Sequence, residues 1–405
     1  MTAVVNQGSA SPATPEVTQS NDPVPFVDLA AQQSEVDVEV QEGLQRVFAT
    51  TAFIGGPDVA SFEREFADYI GASHCVGVGN GTDALELALR ATGVTQGDEV
   101  ILPANTFIAT AEAVCRIGAV PVLVDVDPEF LLIDVDAANA AINRRTRAII
   151  PVHLYGQPAF VEKLLPRANA VGVSVIEDAA QAQGAMRLRQ RAGTLGTATG
   201  TSFYPGKNLG AAGDAGAVVT DDADVAERVR ILSEHGSPEK YRHTMMGVNS
   251  RLDTIQAVVL RAKLRRLDAW NEARRSAAER YTELLADLVA EGQVVLPREA
   301  EGNRHIWHLY TVQVDHRDNV LDSLRSAGIG VGVHYPTPIH RTDAFREIGK
   351  NAGSFPVAEA AADRLLSLPM FPHLTLSQQE RVVEELRRAV KGRAVKQASE
   401  RSDRT

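Results

Sequence analysis

Between Val59 and Thr220 the chain alternates helix-period segments with short apolar runs rich in β-branched residues. Val59–Ile70 has helical spacing. Cys75–Val78, Glu99–Leu102, Val120–Val124, Ala148–Leu154, Val173–Ile176, Thr201–Tyr204 and Ala217–Thr220 are the short runs that follow. Runs of this kind, separated by helices of roughly 10–15 residues, pair in parallel and are covered by helices on both faces. Their crossovers are right-handed. The pattern predicts an α/β domain over residues 24–250, built on a mainly parallel seven-stranded sheet.

Beyond it, the segment from Arg251 to about Val289 reads as helix, with Leu252, Ile255, Val259, Leu260, Leu264 and Leu267 on its apolar positions. Strands at Leu309–Val314 and Gly330–His334 and helices at about 317–327 and 377–390 complete a smaller α+β domain over 251–395. Residues 1–23 are rich in Ser, Thr, Pro and Asn and lack aromatics, which predicts a disordered leader. Residues 396–405 are expected to fray as a charged tail.

Composition excludes several functions. With 41 Lys+Arg against 52 Asp+Glu the net charge is −11, the wrong sign for non-specific nucleic-acid binding. Any anionic substrate must meet a local basic patch. No apolar run reaches the roughly 20 residues that cross a bilayer. The N-terminus lacks a signal-peptide pattern, so a cytoplasmic location is expected. Cys75 and Cys115 are the only cysteines, too few for a disulfide framework or a Cys-based zinc site, and no metal is expected.

Ligands of open parallel sheets sit at the carboxyl ends of strands, where three segments concentrate polar residues. Val76-Gly-Val-Gly-Asn-Gly-Thr-Asp-Ala-Leu85 ends a strand in a Gly-rich turn that opens a helix, a place where free amides favour an anion. On its own this is a common turn, and neither a Walker A nor a GxGxxG pattern. Val173-Ser-Val-Ile-Glu-Asp-Ala-Ala-Gln181 places Asp178 and Gln181 past a buried strand, with Glu177 on the opposite face. Asp178 there caps a helix or holds a cationic ring nitrogen. Thr201-Ser-Phe-Tyr-Pro-Gly-Lys-Asn-Leu-Gly210 carries Lys207 in a Pro/Gly-rich loop among mostly uncharged residues. A lysine shielded from water has a lowered pKa and forms Schiff bases, although most lysines are solvated surface charges.

Together with Phe53-Ile-Gly-Gly-Pro57, Pro103-Ala-Asn-Thr-Phe107, Asn249-Ser-Arg-Leu-Asp253 and His334-Tyr-Pro336, these segments resemble the DegT/DnrJ/EryC1/StrS sugar aminotransferases. Those are pyridoxal phosphate enzymes of fold type I, the aspartate aminotransferase-like fold, and pyridoxamine phosphate is their intermediate form. The resemblance implies that Lys207 is the Schiff-base lysine and proton carrier, and that Asp178 pairs with the ring nitrogen. It places Gln181 on the ring hydroxyl, Phe107 on the ring face, and Gly81, Thr82 and Ser202 around the phosphate. Asn249 and Arg251 would reach that phosphate from the second subunit of a homodimer with shared sites.

Substrates of the family are nucleotide-diphosphate keto-sugars. The loop Glu239–His243, with Tyr241, and the segment Val333–Arg341, with Tyr335 and His340, are the candidates for binding them. His243 and Arg341 read more simply as solvated loop residues. Relatives acting at C4 tend to carry His before the lysine; this chain has Gly206. The resemblance thus points to C3 of a dTDP-3-keto-6-deoxyhexose in deoxyaminosugar and antibiotic biosynthesis, with glutamate as donor. Alternatives are a C4 aminotransferase, an aminated aromatic acid synthase, a dehydratase (disfavoured by Lys207), and a non-catalytic sugar-nucleotide sensor.

Overall fold

A computed structural model describes residues 22–349 and 354–402. The expected leader lies outside these residues as far as position 21, and the charged tail beyond Ser402. Seven strands form the central sheet: β1 His74–Val78, β2 Glu99–Pro103, β3 Val120–Val124, β4 Thr146–Ile149, β5 Ser174–Asp178, β6 Ala198–Ser202 and β7 Gly216–Thr220. Their spatial order is β1-β7-β6-β5-β4-β2-β3. All neighbouring pairs are parallel except the two made by β7.

Two sequence-predicted strands are shorter or shifted. The run Ala148–Leu154 supplies only the end of β4, because Pro151 has no amide hydrogen to give a ladder. Strand β6 starts before the expected Thr201–Tyr204 and overlaps it only at Thr201 and Ser202; its small residues, Ala-Thr-Gly-Thr-Ser, lack the apolar signature. Gly330–His334 is not a strand, and Gly332 makes a single bridge to Ser367. The place beside β9 (Tyr310–Val314) belongs to β10 (Leu365–Leu368), and β8 (Val294–Val295) lies on the other side.

The helical stretch after Arg251 breaks into α7 (Thr254–Leu264) and α8 (Leu267–Leu284). Ala257, Leu260 and Leu264 of α7 share a core with Phe62, Phe66 and Phe203 of the large domain. Helix α7 thus packs on the large-domain side. Conversely, Val24 packs in the smaller core, bridging Ile329. The last helix runs Leu376–Ser402, through the segment expected to fray. Among the described residues, no helix is long and apolar enough to cross a membrane.

Local chemistry explains the helices that flank the sheet. Helix α2, Pro57–Ile70, starts with Pro at its first position and stops at Gly71 in the left-handed conformation. Helix α3, Gly81–Ala91, is capped by Asn80, whose side chain accepts the Asp83 amide at 2.8 Å. Helix α4, Ile108–Arg116, follows β2.

Glu177, buried completely on the face of β5 opposite Asp178, ties this framework together. Its carboxylate accepts from the amides of Gly193, Leu195 and Gly196 at 2.7–2.9 Å, from Thr199 Oγ1 at 3.1 Å and from His153 Nε2 at 2.7 Å. His153 Nδ1 accepts the Ala159 amide, so the ring proton is on Nε2 and points at the carboxylate. Burial pushes the Glu177 carboxyl up, but the hydrogen bonds from His153, Gly193 and Gly196 outweigh it and hold it below its ordinary value. Glu177→Ala strands five donors in a dry interior and should cost about 3 kcal/mol or more, measured by denaturant unfolding. Because the folded-state carboxyl is depressed, its contribution is present above the ordinary value of 4.5 and is lost as pH falls below it. The gap between wild type and Glu177→Ala should therefore narrow in acid.

Candidate active site

The carboxyl ends of β1, β2, β5 and β6 converge on one cavity of about 720 Å³, a size suited to a small-molecule ligand. Gly81 and Thr82 line it from the open end of α3, where helix amides lack intrahelical acceptors. A Cβ on Gly81 would stand 2.6 Å from Ser202 Cβ, so glycine is what lets the helix start rest on the end of β6. The result is an anion cradle of helix amides and the Ser202 hydroxyl.

Asp178 ends β5 on the cavity side. No helix starts there, which removes the capping explanation. Its Oδ2 accepts from Thr110 Oγ1 at 2.8 Å and its Oδ1 from the Ala180 amide at 3.1 Å. Burial raises its pKa, opposed by Thr110, Ala180, Lys207 and His153. Gln181 Oε1 accepts the Tyr155 amide at 2.6 Å, and its Nε2 donates to the Tyr335 hydroxyl at 3.0 Å. Phe107 is half-exposed, with its ring centroid 5.3 Å from that of Tyr335.

The loop carrying Lys207 leaves β6 and is closed by hydrogen bonds from Ala211 N to Phe203 O and from Phe203 N to Ala215 O. Buried Lys263 of α7 donates to Gly210 O at 2.9 Å. Asn208 donates to Asn271 Oδ1 and Ile306 O, and its Oδ1 faces His308 Nδ1 at 3.1 Å. The loop is thus nailed down on both sides of Lys207. Burial lowers the Lys207 pKa to about 8, with Asp178 pulling the other way.

The cavity joins Gly81, Thr82, Phe107, Asp178, Gln181, Ser202, Lys207 and Tyr335. It does not include the other expected residues. Asn249 is exposed, Arg251 pairs with Glu234 at 3.2 Å in a separate cleft, and Tyr241 is 84% exposed. His340 is buried against Phe355, with Nε2 2.8 Å from Glu359. Sequence reasoning passed over Thr106 and Thr110, which also line the cavity. Their spacing of four, straddling a helix start just after a strand, was the available signal.

The residues fit a phosphorylated, protonated ring carrying a carbonyl. An amide-lined helix end takes a dianion, a buried carboxylate with no cationic hydrogen-bond partner takes a ring N–H, and an amine with a depressed pKa takes the carbonyl. Across residues 34–387 the sequence matches the DegT/DnrJ/EryC1/StrS aminotransferase family model. It is 46% identical over 364 residues to the erythromycin biosynthesis sensory transduction protein EryC1 of Saccharopolyspora erythraea, covering 90% of this chain and 99% of that protein. It is 44% identical over 364 residues to a dTDP-3-amino-3,4,6-trideoxy-α-D-glucose transaminase of Streptomyces venezuelae, covering 90% and 95%. The crystal structure of S. venezuelae DesV in complex with a ketimine intermediate superposes with a TM-score of 0.87 at 44% identity, covering 90% and 98%.

The depressed Lys207 gives a test without cofactor. Acylation of Lys207 in the apoprotein, followed by peptide mass spectrometry, should rise with a midpoint near pH 8 and not near 10.5. Asp178→Asn removes the charge that favours the ammonium, so the midpoint should fall further. By fold, by its cavity and by these relatives, the chain belongs to the DegT/DnrJ/EryC1/StrS family and is a pyridoxal phosphate-dependent aminotransferase.

Proposed function

We propose that this aminotransferase moves an amino group from glutamate to C3 of a dTDP-linked 3-keto-6-deoxyhexose, working in the cytoplasm as a homodimer with shared sites. The observation that carries this reading is the confinement of Lys207 and Asp178 in one cavity beside the α3 amide cradle. When bound, pyridoxal phosphate supplies the electron sink for the exchange of amino and keto groups. Lys207 moves the proton at the carbon that gains or loses nitrogen. Asp178 keeps the proton on the ring nitrogen, Gln181 orients the ring hydroxyl, and Phe107 packs on the ring face. Gly81, Thr82 and Ser202 hold the phosphate. Tyr335, between Gln181 and Phe107, faces the substrate side.

Amination at C3 is supported by the name of the transaminase from S. venezuelae and by Gly206, which stands where C4-specific relatives tend to have His. EryC1 bears a sensory name, but retention of Lys207, Asp178 and Gln181 supports catalysis, since a sensor needs none of the three together. No observation favours an aromatic product. Incubation with glutamate and matched 3-keto and 4-keto dTDP-hexoses, with the new amine located by NMR, decides the position and the donor. A product aminated at C4, or no turnover with glutamate, would refute the corresponding part.

The dimer is supported by what one chain leaves out of its own cavity. Of its two lining cations, Lys207 is reserved for chemistry, and Arg116 is held by Asp83 and Glu86, each at 2.9 Å. A sugar-linked pyrophosphate needs others. Lys240 and Arg242 lie on the same exposed loop as Tyr241 and Met246, which are 84% and 85% exposed. The exposure of these two large side chains on one loop supports its being covered by another chain in the dimer. In this reading the loop, with Asn249 and Arg251, completes the neighbouring site, whereas His340 is a packing residue. Refolding an equal mixture of Lys207→Ala and Asn249→Ala should return about one quarter of wild-type activity, because about half the dimers are mixed and half of their sites are whole. If both residues serve one chain's own site, activity stays at the level of the separate variants.

A further inference from the structure

Three buried side chains that line the cavity are joined by hydrogen bonds. Thr106 Oγ1 is 2.8 Å from Thr110 Oγ1, which is 2.8 Å from Asp178 Oδ2, and all three residues are at most 5% exposed. A hydroxyl has one proton and a carboxylate only accepts. The Thr110 proton therefore goes to Asp178, and Thr106 must donate to Thr110. An aliphatic pair would fill this space without the cost of burying two hydroxyls, so the hydroxyls serve the carboxylate. Resting on the assignment of Asp178 to the ring nitrogen, we propose that Thr106 and Thr110 are a positioning pair, a directed two-hydroxyl chain that keeps Asp178 anionic and so leaves the proton on the cofactor ring.

The other charged or titratable groups facing Asp178 are Lys207 from the β6 loop, His153 beyond β4 and Tyr335 from the smaller domain. Its direct hydrogen-bond donors are Thr110 and the Ala180 amide, both neutral, and the Thr110 contact is the shorter. Burial pushes the carboxylate towards taking a proton, and the Thr110 hydroxyl is foremost among the groups that oppose it. Neutral donors lower its proton affinity modestly, where a cation would extinguish its pull on the ring N–H. Each hydroxyl polarises the next, so loss of Thr106 should weaken the Thr110 bond without abolishing it.

The test loads wild type, Thr110→Val, Thr110→Ser, Thr106→Val and Asp178→Asn with pyridoxamine phosphate labelled with ¹⁵N in the ring, and reads the ring ¹⁵N chemical shift. Thr110→Val should move the shift towards the unprotonated value, Thr106→Val should move it less in the same direction, and Thr110→Ser should restore it. In turnover, Thr110→Val should lower kcat about tenfold with KM for the sugar unchanged, the effect of losing one hydrogen bond to a charged group. If Thr110→Val keeps the wild-type shift while Asp178→Asn changes it, the proposal is wrong and the assignment of Asp178 stands. If Asp178→Asn also leaves the shift in place, the assignment of Asp178 falls first. A moved Thr110→Val beside an unmoved Thr106→Val removes Thr106 from the pair. Should Thr110→Val fail to bind cofactor, Thr106→Val and Thr110→Ser still decide by the same shift.

Discussion

The buried carboxylate of Glu177 is the interaction on which the catalytic geometry depends. Through the three amides and Thr199 it gathers the chain from Gly193 to β6, and through His153 it gathers the connection after β4. The same residue fixes β5, whose next side chain, by strand alternation, enters the cavity as Asp178. The His153 amide donates to Asp178 O, and the Asp178 amide donates to Pro151 O. A shift of β5 by one residue would exchange the two carboxylates between structural and catalytic faces. Glu177 can be satisfied only by the donors on its own side, and this sets the register.

Much of this was legible because it is local. Strand β5, the opposed directions of Glu177 and Asp178, and the helix opened by Gly81 all follow from periods of two and 3.6 residues and from turn chemistry. Lys207 was found through its uncharged, Gly-rich surroundings. What stayed hidden depends on tertiary partners. Strand β6 is made of small residues, without an apolar run, that become a strand only between β5 and β7. Strand β10 displaced the expected Gly330–His334 because Leu365–Leu368 can fully bury itself against β9, whereas Gly332 and His334 cannot. His340 sits in a polar segment that reads as a substrate loop, yet its partner Glu359 is far enough along the chain that no local pattern announces the pair.

The family resemblance carried the rest, and the structure divides what it carried. Residues at strand ends, such as Ser202, Gln181 and Asp178, are placed by the sheet and come together in one chain. Asn249, Arg251 and Tyr241 belong to the exposed segment after α6, Ala223–Ser233, and stay outside the cavity. Sheet-borne residues need only the fold to reach their positions. The exposed segment after α6 is not tied to the sheet, which is why the same sequence resemblance has different force for the two sets.

The opposed treatment of Lys207 and Asp178 shows how one cavity serves two protonation states. Desolvation favours the neutral form of both, lowering the amine and raising the carboxyl. For the amine this is the reactive form, and among the described residues no hydrogen bond holds its ammonium in place. For the carboxyl it is the useless form, and Thr110 and the Ala180 amide are spent on resisting it. Their mutual attraction would favour the charged pair, so the two groups cannot both be tuned by their charges alone. Neutral donors given to Asp178 and withheld from Lys207 separate the two effects. Under the proposed pairing of Asp178 with the ring nitrogen, a ring cation would strengthen the anion and, by competing with Lys207 for the same negative charge, would make the free amine easier still to deprotonate. Under that pairing, cofactor binding and amine activation would be coupled through a single carboxylate.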